Sequence, residues 1–183
     1  MSRVFITGSS AGLGLMAGRL LAEQGHEVVF HARDERRAAD ARTALPGAAD
    51  VVVGDASRLM DLQRMAQQLN GMGRFDAVIH NVGIGYREST RILTEDSLPH
   101  VFAINVIAPY VLTALMKRPS RLVYLSSGMH RMAQANLSDI TWDRRNWAGS
   151  TAYAESKLYD ALLAFAIARR WPEVFSNALS RGG

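Results

Sequence analysis

The chain has 183 residues, of which 48% are hydrophobic and 21% are charged, proportions that predict a single globular domain, residues 1–183, with a substantial core. Its net charge of +4 does not predict a nucleic-acid partner, because the arginines are scattered over predicted helices and loops and form no long basic block interleaved with aromatic residues. The absence of cysteine excludes a disulfide framework and a thiolate metal site, and the spacing of the five histidines predicts no metal ion.

Short apolar runs alternate along the chain with stretches of helical periodicity. The predicted strands are Val4–Thr7, Glu27–His31, Asp50–Val53, Ala77–His80, Leu122–Ser126 and Val174–Leu179. The predicted helices between them are Leu13–Gln24, Glu35–Leu45, Leu59–Asn70, Ser97–Met116 and Thr151–Arg170. Strands that are apolar throughout suit a sheet covered on both faces, so the strict alternation predicts an α/β fold with a doubly wound parallel sheet.

The location of the protein is predicted from its apolar runs and its first residues. No uninterrupted apolar run approaches the roughly 20 residues that a membrane helix needs. A strand begins by about Arg3, which leaves no room for a signal peptide. We therefore expect a cytoplasmic protein without a membrane partner.

A glycine-rich turn follows the first predicted strand. Gly8 allows a tight turn, Gly12 lets the backbone approach a pyrophosphate, and Gly14 permits close helix packing. The next helix presents unpaired N–H groups and the positive end of its dipole to phosphates. The turn predicts a nucleotide site formed by Gly8, Ser9, Ser10, Gly12, Leu13 and Gly14.

Tyr153 and Lys157 open the last long helix with a spacing of four residues. Side chains four apart lie on one face of a helix. A neighbouring ammonium stabilises a phenolate and lowers the pKa of a tyrosine, which makes the phenol a usable general acid or base. The pair and the glycine turn together predict a nucleotide cofactor combined with proton transfer.

The spacing T-G-x-x-x-G-x-G, with the tyrosine–lysine pair far downstream, resembles the classical short-chain dehydrogenase/reductase family over residues 3–179. The resemblance implies a Rossmann sheet of strand order 3-2-1-4-5-6 and reversible hydride transfer between a nicotinamide and a carbonyl or alcohol substrate. Within the family, the run Ser126–His130, the long polar insertion and Leu93–Asp96 are similar to the retinol-dehydrogenase-like branch. That similarity does not identify the substrate.

The resemblance also implies the catalytic residues. Tyr153 would protonate the developing alkoxide, and Ser127, the second serine of its pair, would hydrogen-bond the same oxygen. Lys157 would assist Tyr153 and hold the nicotinamide ribose. Asn105 would connect Lys157 to solvent through an ordered water.

Further positions match the family's cofactor contacts. Asn81, Val82 and Gly83 would support the sheet and line the cofactor, and Asp55 would contact the adenine. Arg33 follows the non-acidic Ala32 at the end of the second strand, which favours the 2′-phosphate of NADP over the ribose of NAD. Asp34 is the competing acidic residue, but its position suits a cap on the helix that begins near Glu35.

Two segments depart from the regular pattern. Residues 128–150 form a long polar stretch at the carboxyl end of a strand, where loops of this length are usually functional or disordered. After Leu179 the family continues with a threonine that contacts the nicotinamide, a substrate lid and a final strand, all of which we expect to be missing here.

Three interpretations stay open at this stage. The chain could be an active NADP-dependent reductase, an NADP-binding module without turnover, or a structural fragment that oligomerises. The intact Ser127, Tyr153 and Lys157 favour the first, and the missing lid favours the second. An uncovered strand at the sheet margin and the very apolar helix Thr151–Arg170 predict a homo-oligomer, most simply a two-fold dimer.

Overall fold

A computed structural model of the chain describes residues 1–44, 50–85 and 88–181. The strands in this part of the chain are β1 Arg3–Ile6, β2 Glu27–Ala32, β3 Asp50–Val53, β4 Ala77–His80, β5 Arg121–Ser127 and β6 Phe175–Arg181. The α-helices are α1 Gly12–Glu23, α2 Glu35–Ala44, α3 Leu59–Gly71, α4 His100–Phe102, α5 Ala108–Leu115 and α6 Gly149–Arg170. A π-helical turn, Ala103–Ile107, joins α4 to α5, and short 3₁₀ turns cover Gly128–Met132 and Leu137–Asp139. Leu45, predicted to end the second helix, lies outside the described residues.

The strands form one parallel sheet in the order β3-β2-β1-β4-β5-β6, which confirms the predicted doubly wound fold. β1 pairs with β2 on one side and with β4 on the other, so the strand order reverses at β1. In open α/β sheets, ligands bind outside the carboxyl ends of the strands at this reversal. The glycine turn leaves β1 at that point.

The core has two layers because the sheet is covered on both faces. Phe5 of β1 packs in the layer with α3, α5 and α6, whereas Val4 and Ile6 pack in the layer with α1 and α2. Successive side chains of a strand point to opposite faces. This alternation explains why Val4, Phe5 and Ile6 of β1 are all apolar.

The predicted helix Ser97–Met116 begins later and is irregular. Ser97 has a φ of +59°, which is incompatible with a right-handed helix, and helical structure starts only at His100. The π-helical turn at Ala103–Ile107 then holds one residue more than an α-helical turn. Asn105 lies inside this turn.

The polar stretch 128–150 is an ordered strap against the start of α6. Arg145 binds Glu155 of α6 with both guanidinium nitrogens, Nη1–Oε1 and Nη2–Oε2 each at 2.6 Å. The guanidinium carbon also lies 3.6 Å from the ring centroid of Trp142. A partly buried bidentate pair of this kind fixes both partners. The strap therefore positions the part of α6 that carries Tyr153.

None of the helices in the described ranges is both long and apolar enough to cross a membrane. Over the same residues, no group of three or more histidine, aspartate or glutamate side chains is arranged to hold a metal ion.

Candidate active site

Glycine is required at three positions of the first turn for different reasons. Gly8 and Gly12 have φ values of +61° and +58°, in the left-handed region. A Cβ atom at Gly8 would lie 2.9 Å from Val82 Cα, and one at Gly14 would lie 2.6 Å from Gly8 O. A Cβ at Gly12 would meet nothing within 4 Å. The tight turn predicted at Gly8 and the close helix packing predicted at Gly14 are thus both present.

Asn81 and Thr7 fasten this turn to the end of β4. Asn81 Nδ2 donates to the carbonyls of Thr7 at 3.0 Å and Gly8 at 2.9 Å. Thr7 Oγ1 accepts from the backbone N–H groups of Asn81 and Val82, each at 3.0 Å. Asn81 and Thr7 therefore hold the glycine turn in place, and a contact of Asn81 with the cofactor stays a prediction.

Ser9 and His31 tie the turn to β2. Ser9 Oγ donates to Ile6 O at 2.7 Å and accepts from His31 N at 2.8 Å. The Ser9 hydroxyl is therefore occupied by hydrogen bonds within the protein. The predicted contact of Ser9 with the cofactor stays a prediction. His31 was not predicted as a functional residue, although a histidine in an otherwise apolar strand was a signal.

One cleft of about 330 Å³ lies at the β2 and β3 side of the reversal point. Of the predicted cofactor residues, its lining includes Gly8, Ser10, Arg33, Asp55, Val82 and Gly83. Asp55 is held by hydrogen bonds from Ser57 N at 2.9 Å and Ser57 Oγ at 2.7 Å. The same cleft is lined by a second basic side chain, Arg37, which the sequence analysis did not single out.

Asp34 lies between the two arginines of this cleft. Its Oδ2 is 3.7 Å from Arg33 Nε and 3.9 Å from Arg37 Nε. Its Oδ1 accepts the Arg37 backbone N–H at 2.9 Å, which confirms the predicted cap on α2. This hydrogen bond and the surrounding arginines lower the pKa of Asp34. Asp34 thus contributes to arranging the arginines around the cleft.

A second cleft of about 320 Å³ lies at the carboxyl end of β5. Of the predicted residues, its lining includes Leu13, Asn81, Gly83, Tyr153 and Lys157. Gly83 and Ile84 line both clefts, so the two clefts are adjacent there. The glycine turn, the paired arginines and the tyrosine–lysine pair therefore share one continuous edge of the sheet.

Lys157 is buried and doubly hydrogen-bonded. Its Nζ donates to Leu125 O at 2.7 Å and to Asp160 Oδ2 at 2.8 Å. Asp160 is only 3% exposed, and burial raises the pKa of its carboxyl group to about 6, against the opposing effect of Lys157. Asp160 was not predicted as a functional residue, although its place three positions after Lys157 on the same helix was a signal.

Asn105 is buried in the π-helical turn and bridges three elements. Its Nδ2 donates to Ile84 O at 3.1 Å and Ser156 Oγ at 2.9 Å, and its Oδ1 accepts from Ile84 N at 2.9 Å. A Cβ atom at Gly83 would lie 3.4 Å from Asn105 Oδ1 and 3.5 Å from Lys157 Nζ. The structure thus brings Asn105 and Lys157 together beside Gly83, and an ordered water between them stays a prediction.

The two serines at the end of β5 have different environments. Ser126 is buried, lines the second cleft and donates from Oγ to Lys157 O at 2.7 Å. Ser127 Oγ accepts from Met129 N at 3.3 Å and donates to no group in the described part of the chain. The Ser127 hydroxyl is available as a donor, but Ser127 is not among the residues that line the cleft. Its catalytic role stays a prediction.

The chain belongs to the short chain dehydrogenase family, because the model of that family matches residues 2–138. The family prediction is thereby confirmed. An uncharacterized oxidoreductase of Emericella nidulans is 46% identical over 173 residues, covering 93% of this chain and 65% of that protein.

Solved structures agree with the fold. A crystal structure of an uncharacterized protein from Mycobacterium paratuberculosis is similar with a TM-score of 0.91 and 30% identity, covering 100% of this chain and 68% of that one. A short-chain dehydrogenase from Sphingobium yanoikuyae, in complex with NADPH, is similar with a TM-score of 0.75 and 21% identity, covering 98% of this chain and 70% of that one. The chain thus spans roughly two thirds of the length of these proteins.

Proposed function

We propose that the protein is an NADP-dependent oxidoreductase that transfers a hydride between nicotinamide and a carbonyl or alcohol carbon. The observation that carries this proposal is the pair of adjacent clefts along the carboxyl edge of the sheet. One is lined by the glycine turn and two arginines, and the other by Tyr153 and Lys157. The family supplies the class of reaction, and the NADPH bound to the Sphingobium yanoikuyae relative supports the choice of cofactor.

The residues present fit a dinucleotide phosphate. The turn Gly8–Gly14 lines the first cleft through Gly8 and Ser10 and leads into the start of α1. A pyrophosphate would bind there, against the N-terminal N–H groups of the helix. Arg33 and Arg37 would bind the 2′-phosphate, and Asp55 would contact the adenine. When bound, NADPH would supply the hydride.

The protein would supply the proton and stabilise charge. Tyr153 would donate its phenolic proton to the carbonyl oxygen as that oxygen becomes an alkoxide. Ser127 would donate a hydrogen bond to the same oxygen. Lys157 would stabilise the resulting phenolate, and Asn105 would orient a water that returns a proton. The product is the alcohol, and the reverse sequence oxidises it.

The purified chain provides a direct test. We expect NADPH to bind in a calorimetric titration, and a panel of aldehydes and ketones to include at least one that causes NADPH oxidation. If the chain binds neither NADPH nor NADH, the proposal is contradicted. A cytoplasmic location and a small-molecule carbonyl or alcohol substrate stay part of the same proposal.

A second candidate is an NADP-binding module without turnover. Asp160 favours this candidate, because its carboxylate already compensates the charge of Lys157 within the protein. Tight NADPH binding without oxidation by any carbonyl compound would support it. If the protein binds no nucleotide but forms oligomers, the third interpretation, an oligomerising structural fragment, is supported.

Replacing Arg33 by alanine is expected to remove most of the preference for NADP(H) over NAD(H). A charge-assisted arginine–phosphate pair is worth about 1.5–3 kcal/mol, so the affinity ratio should fall by about 10- to 100-fold. Calorimetric titration of both cofactors measures the ratio. Arg36→Ala removes the same charge from an exposed position of α2 outside the cleft and should leave the ratio nearly unchanged. Equal or tighter binding of NAD(H) by the wild type would refute the assignment.

We also propose a homo-oligomer, most simply a two-fold dimer. In α5 and α6, Tyr110 and Phe165 are 55% and 63% exposed, and in β6, at the margin of the described sheet, Leu179 is 53% exposed. Exposed apolar faces and strand edges favour association. Light scattering at micromolar concentration should therefore show more than a monomer. Phe165→Glu tests the helix face and Leu179→Lys tests the strand edge, and a stable wild-type monomer would disprove the oligomer.

A further inference from the structure

The side chain of His31 spans two turns of the candidate cofactor cleft. Its Nδ1 lies 2.8 Å from Gly8 N, and its Nε2 lies 2.8 Å from Gly54 O. The carbonyl of Gly54 can only accept, so Nε2 must carry the proton. Nδ1 is then unprotonated and accepts the Gly8 N–H. The two contacts therefore select one neutral tautomer.

The backbone of His31 binds the same glycine turn. His31 N donates to Ser9 Oγ at 2.8 Å, and His31 O accepts from Ser9 N at 3.1 Å. His31 is 2% exposed, so water does not replace these hydrogen bonds. On the other side, Gly54 directly precedes Asp55, which lines the cleft. One residue thus connects the phosphate-binding side of the cleft to its adenine-binding side.

We propose that His31 is a positioning residue whose neutral imidazole holds the glycine turn in its phosphate-binding conformation and whose protonation releases that turn. The phosphate ligand rests on the proposed function, whereas the support of the turn does not.

Protonation of His31 would place two donors against each other. An imidazolium carries N–H groups on both nitrogens, so Nδ1–H would face the Gly8 N–H across 2.8 Å. Gly8 cannot easily retreat, because its backbone packs against Val82 so closely that a Cβ would lie 2.9 Å from Val82 Cα. Either the imidazole or the turn must move. In both cases the Gly8 N–H loses its partner.

The groups around His31 set the conditions for this change. Burial lowers the pKa of His31, while the hydrogen bond to Gly54 and the charge of Asp55 oppose that effect. Arg33 after β2 and Arg37 of α2 line the same cleft, and their positive charges disfavour a second cation. Asp61 of α3 accepts from the backbone N–H of Asp55 at 3.0 Å. The neutral form is therefore the state expected at neutral pH.

Nuclear magnetic resonance of the ¹⁵N-labelled protein tests the proposal without any cofactor. At pH 7.5 the His31 ring should show the tautomer with the proton on Nε2, and the Gly8 amide should be protected from hydrogen exchange. On acidification, that protection should be lost together with protonation of His31. A proton on Nδ1 at neutral pH would overturn the proposal. So would unchanged protection of the Gly8 amide after His31 has become protonated.

Two non-titrating variants separate the two hydrogen bonds. In His31→Asn, the side-chain oxygen can take the place of Nδ1 and accept from Gly8. In His31→Gln, the amide nitrogen can take the place of Nε2 and donate to Gly54, but no acceptor faces Gly8. Calorimetry with NADP⁺ at pH 7.5 should show an affinity within about threefold of wild type for the asparagine variant and a loss of about tenfold or more for the glutamine variant. Wild-type affinity in the glutamine variant would overturn the proposal.

His26→Asn is the matched control for these variants. His26 Nδ1 also accepts a backbone N–H, from Ser2 at 3.2 Å, but His26 precedes β2 at the opposite edge of the sheet. Its replacement should leave NADP⁺ affinity unchanged. If His31→Gln fails to fold, the measurements on the wild type still decide. If the wild type binds no NADP⁺ but shows the expected tautomer and coupled exchange, the cofactor assignment fails and the role of His31 stands.

Discussion

Replacing Tyr153 by phenylalanine is expected to lower carbonyl-dependent NADPH oxidation by about 10²–10⁴-fold while leaving NADPH affinity similar. Phenylalanine keeps the ring that lines the second cleft and removes the phenolic hydroxyl that would donate the proton. Stopped-flow or steady-state absorbance of NADPH measures turnover, and calorimetry measures affinity. Tyr110→Phe is the control, because Tyr110 is an exposed tyrosine of α5 outside both clefts. Near-normal turnover in the Tyr153 variant would show that the mechanistic assignment is wrong.

Neighbouring substitutions refine this test. Lys157→Ala should reduce both turnover and cofactor affinity, since Lys157 is assigned to proton transfer and to the ribose. Ser127→Ala should reduce turnover alone. Ser126→Ala should instead lower the free energy of unfolding, because Ser126 Oγ bonds the Lys157 carbonyl in the interior. The opposite result for the two serines would transfer the catalytic role to Ser126.

Replacing Gly14 by alanine is expected to abolish NADPH binding and to lower the free energy of unfolding by about 1–3 kcal/mol or more. The added Cβ would lie 2.5 Å from Asn81 Nδ2, 2.6 Å from Gly8 O and 2.9 Å from Ser9 Cα. Two of these atoms belong to the backbone of the glycine turn. The third is fixed by its hydrogen bonds to Thr7 and Gly8. Relief of the clash must therefore deform the turn itself. Urea denaturation and calorimetry with NADPH measure the two effects.

Two other glycines serve as matched controls for Gly14→Ala. Gly71 ends α3, has no positive φ, and a Cβ there would meet nothing within 4 Å, so Gly71→Ala should be neutral or slightly stabilising. In Gly12→Ala the added Cβ would meet nothing within 4 Å, but the alanine would have to adopt a φ of +58°. This backbone conformation should lower the free energy of unfolding by about 1–2 kcal/mol. Equal stability of the Gly14 and Gly71 variants would refute the steric argument.

The fold could be predicted because its signals are local in the sequence. Val4, Phe5 and Ile6 are all apolar since the two faces of β1 are both buried. The middle of β2, residues 28–30, shows the same pattern. Gly8 lies in the turn after β1 and Gly14 in the first turn of α1, and Tyr153 and Lys157 share a helix face. Such patterns depend on neighbours a few positions apart, which a sequence displays.

The supporting contacts could not be predicted, because they join residues that only the fold brings together. Arg145 and Glu155 meet through a strap whose path no local pattern specifies. His31 reaches Gly8 and Gly54 across two neighbouring strands. Asp160 lies close to Lys157 in sequence, but the burial that makes its charge consequential comes from β5 and α6 packing together. The candidate reacting groups could therefore be predicted from the sequence, whereas the residues that position them could not.

The π-helical turn makes the place of Asn105 depend on the number of residues between α4 and α5. An α-helix advances about 100° per residue, so removing one residue from Ala103–Ile107 could restore a regular helix from His100 to Leu115. The helix would then be more regular, but α4 and α5 would be rotated relative to each other by about that angle. With α5 still packed on α3, a deletion on the α5 side of Asn105, such as that of Val106, would turn Asn105 away from Ile84 and Ser156. The hydrogen bonds of Asn105 to Ile84 and Ser156 therefore depend on the one residue that the π-helical turn holds beyond a regular helix. Deleting a residue that makes none of these hydrogen bonds would still break them.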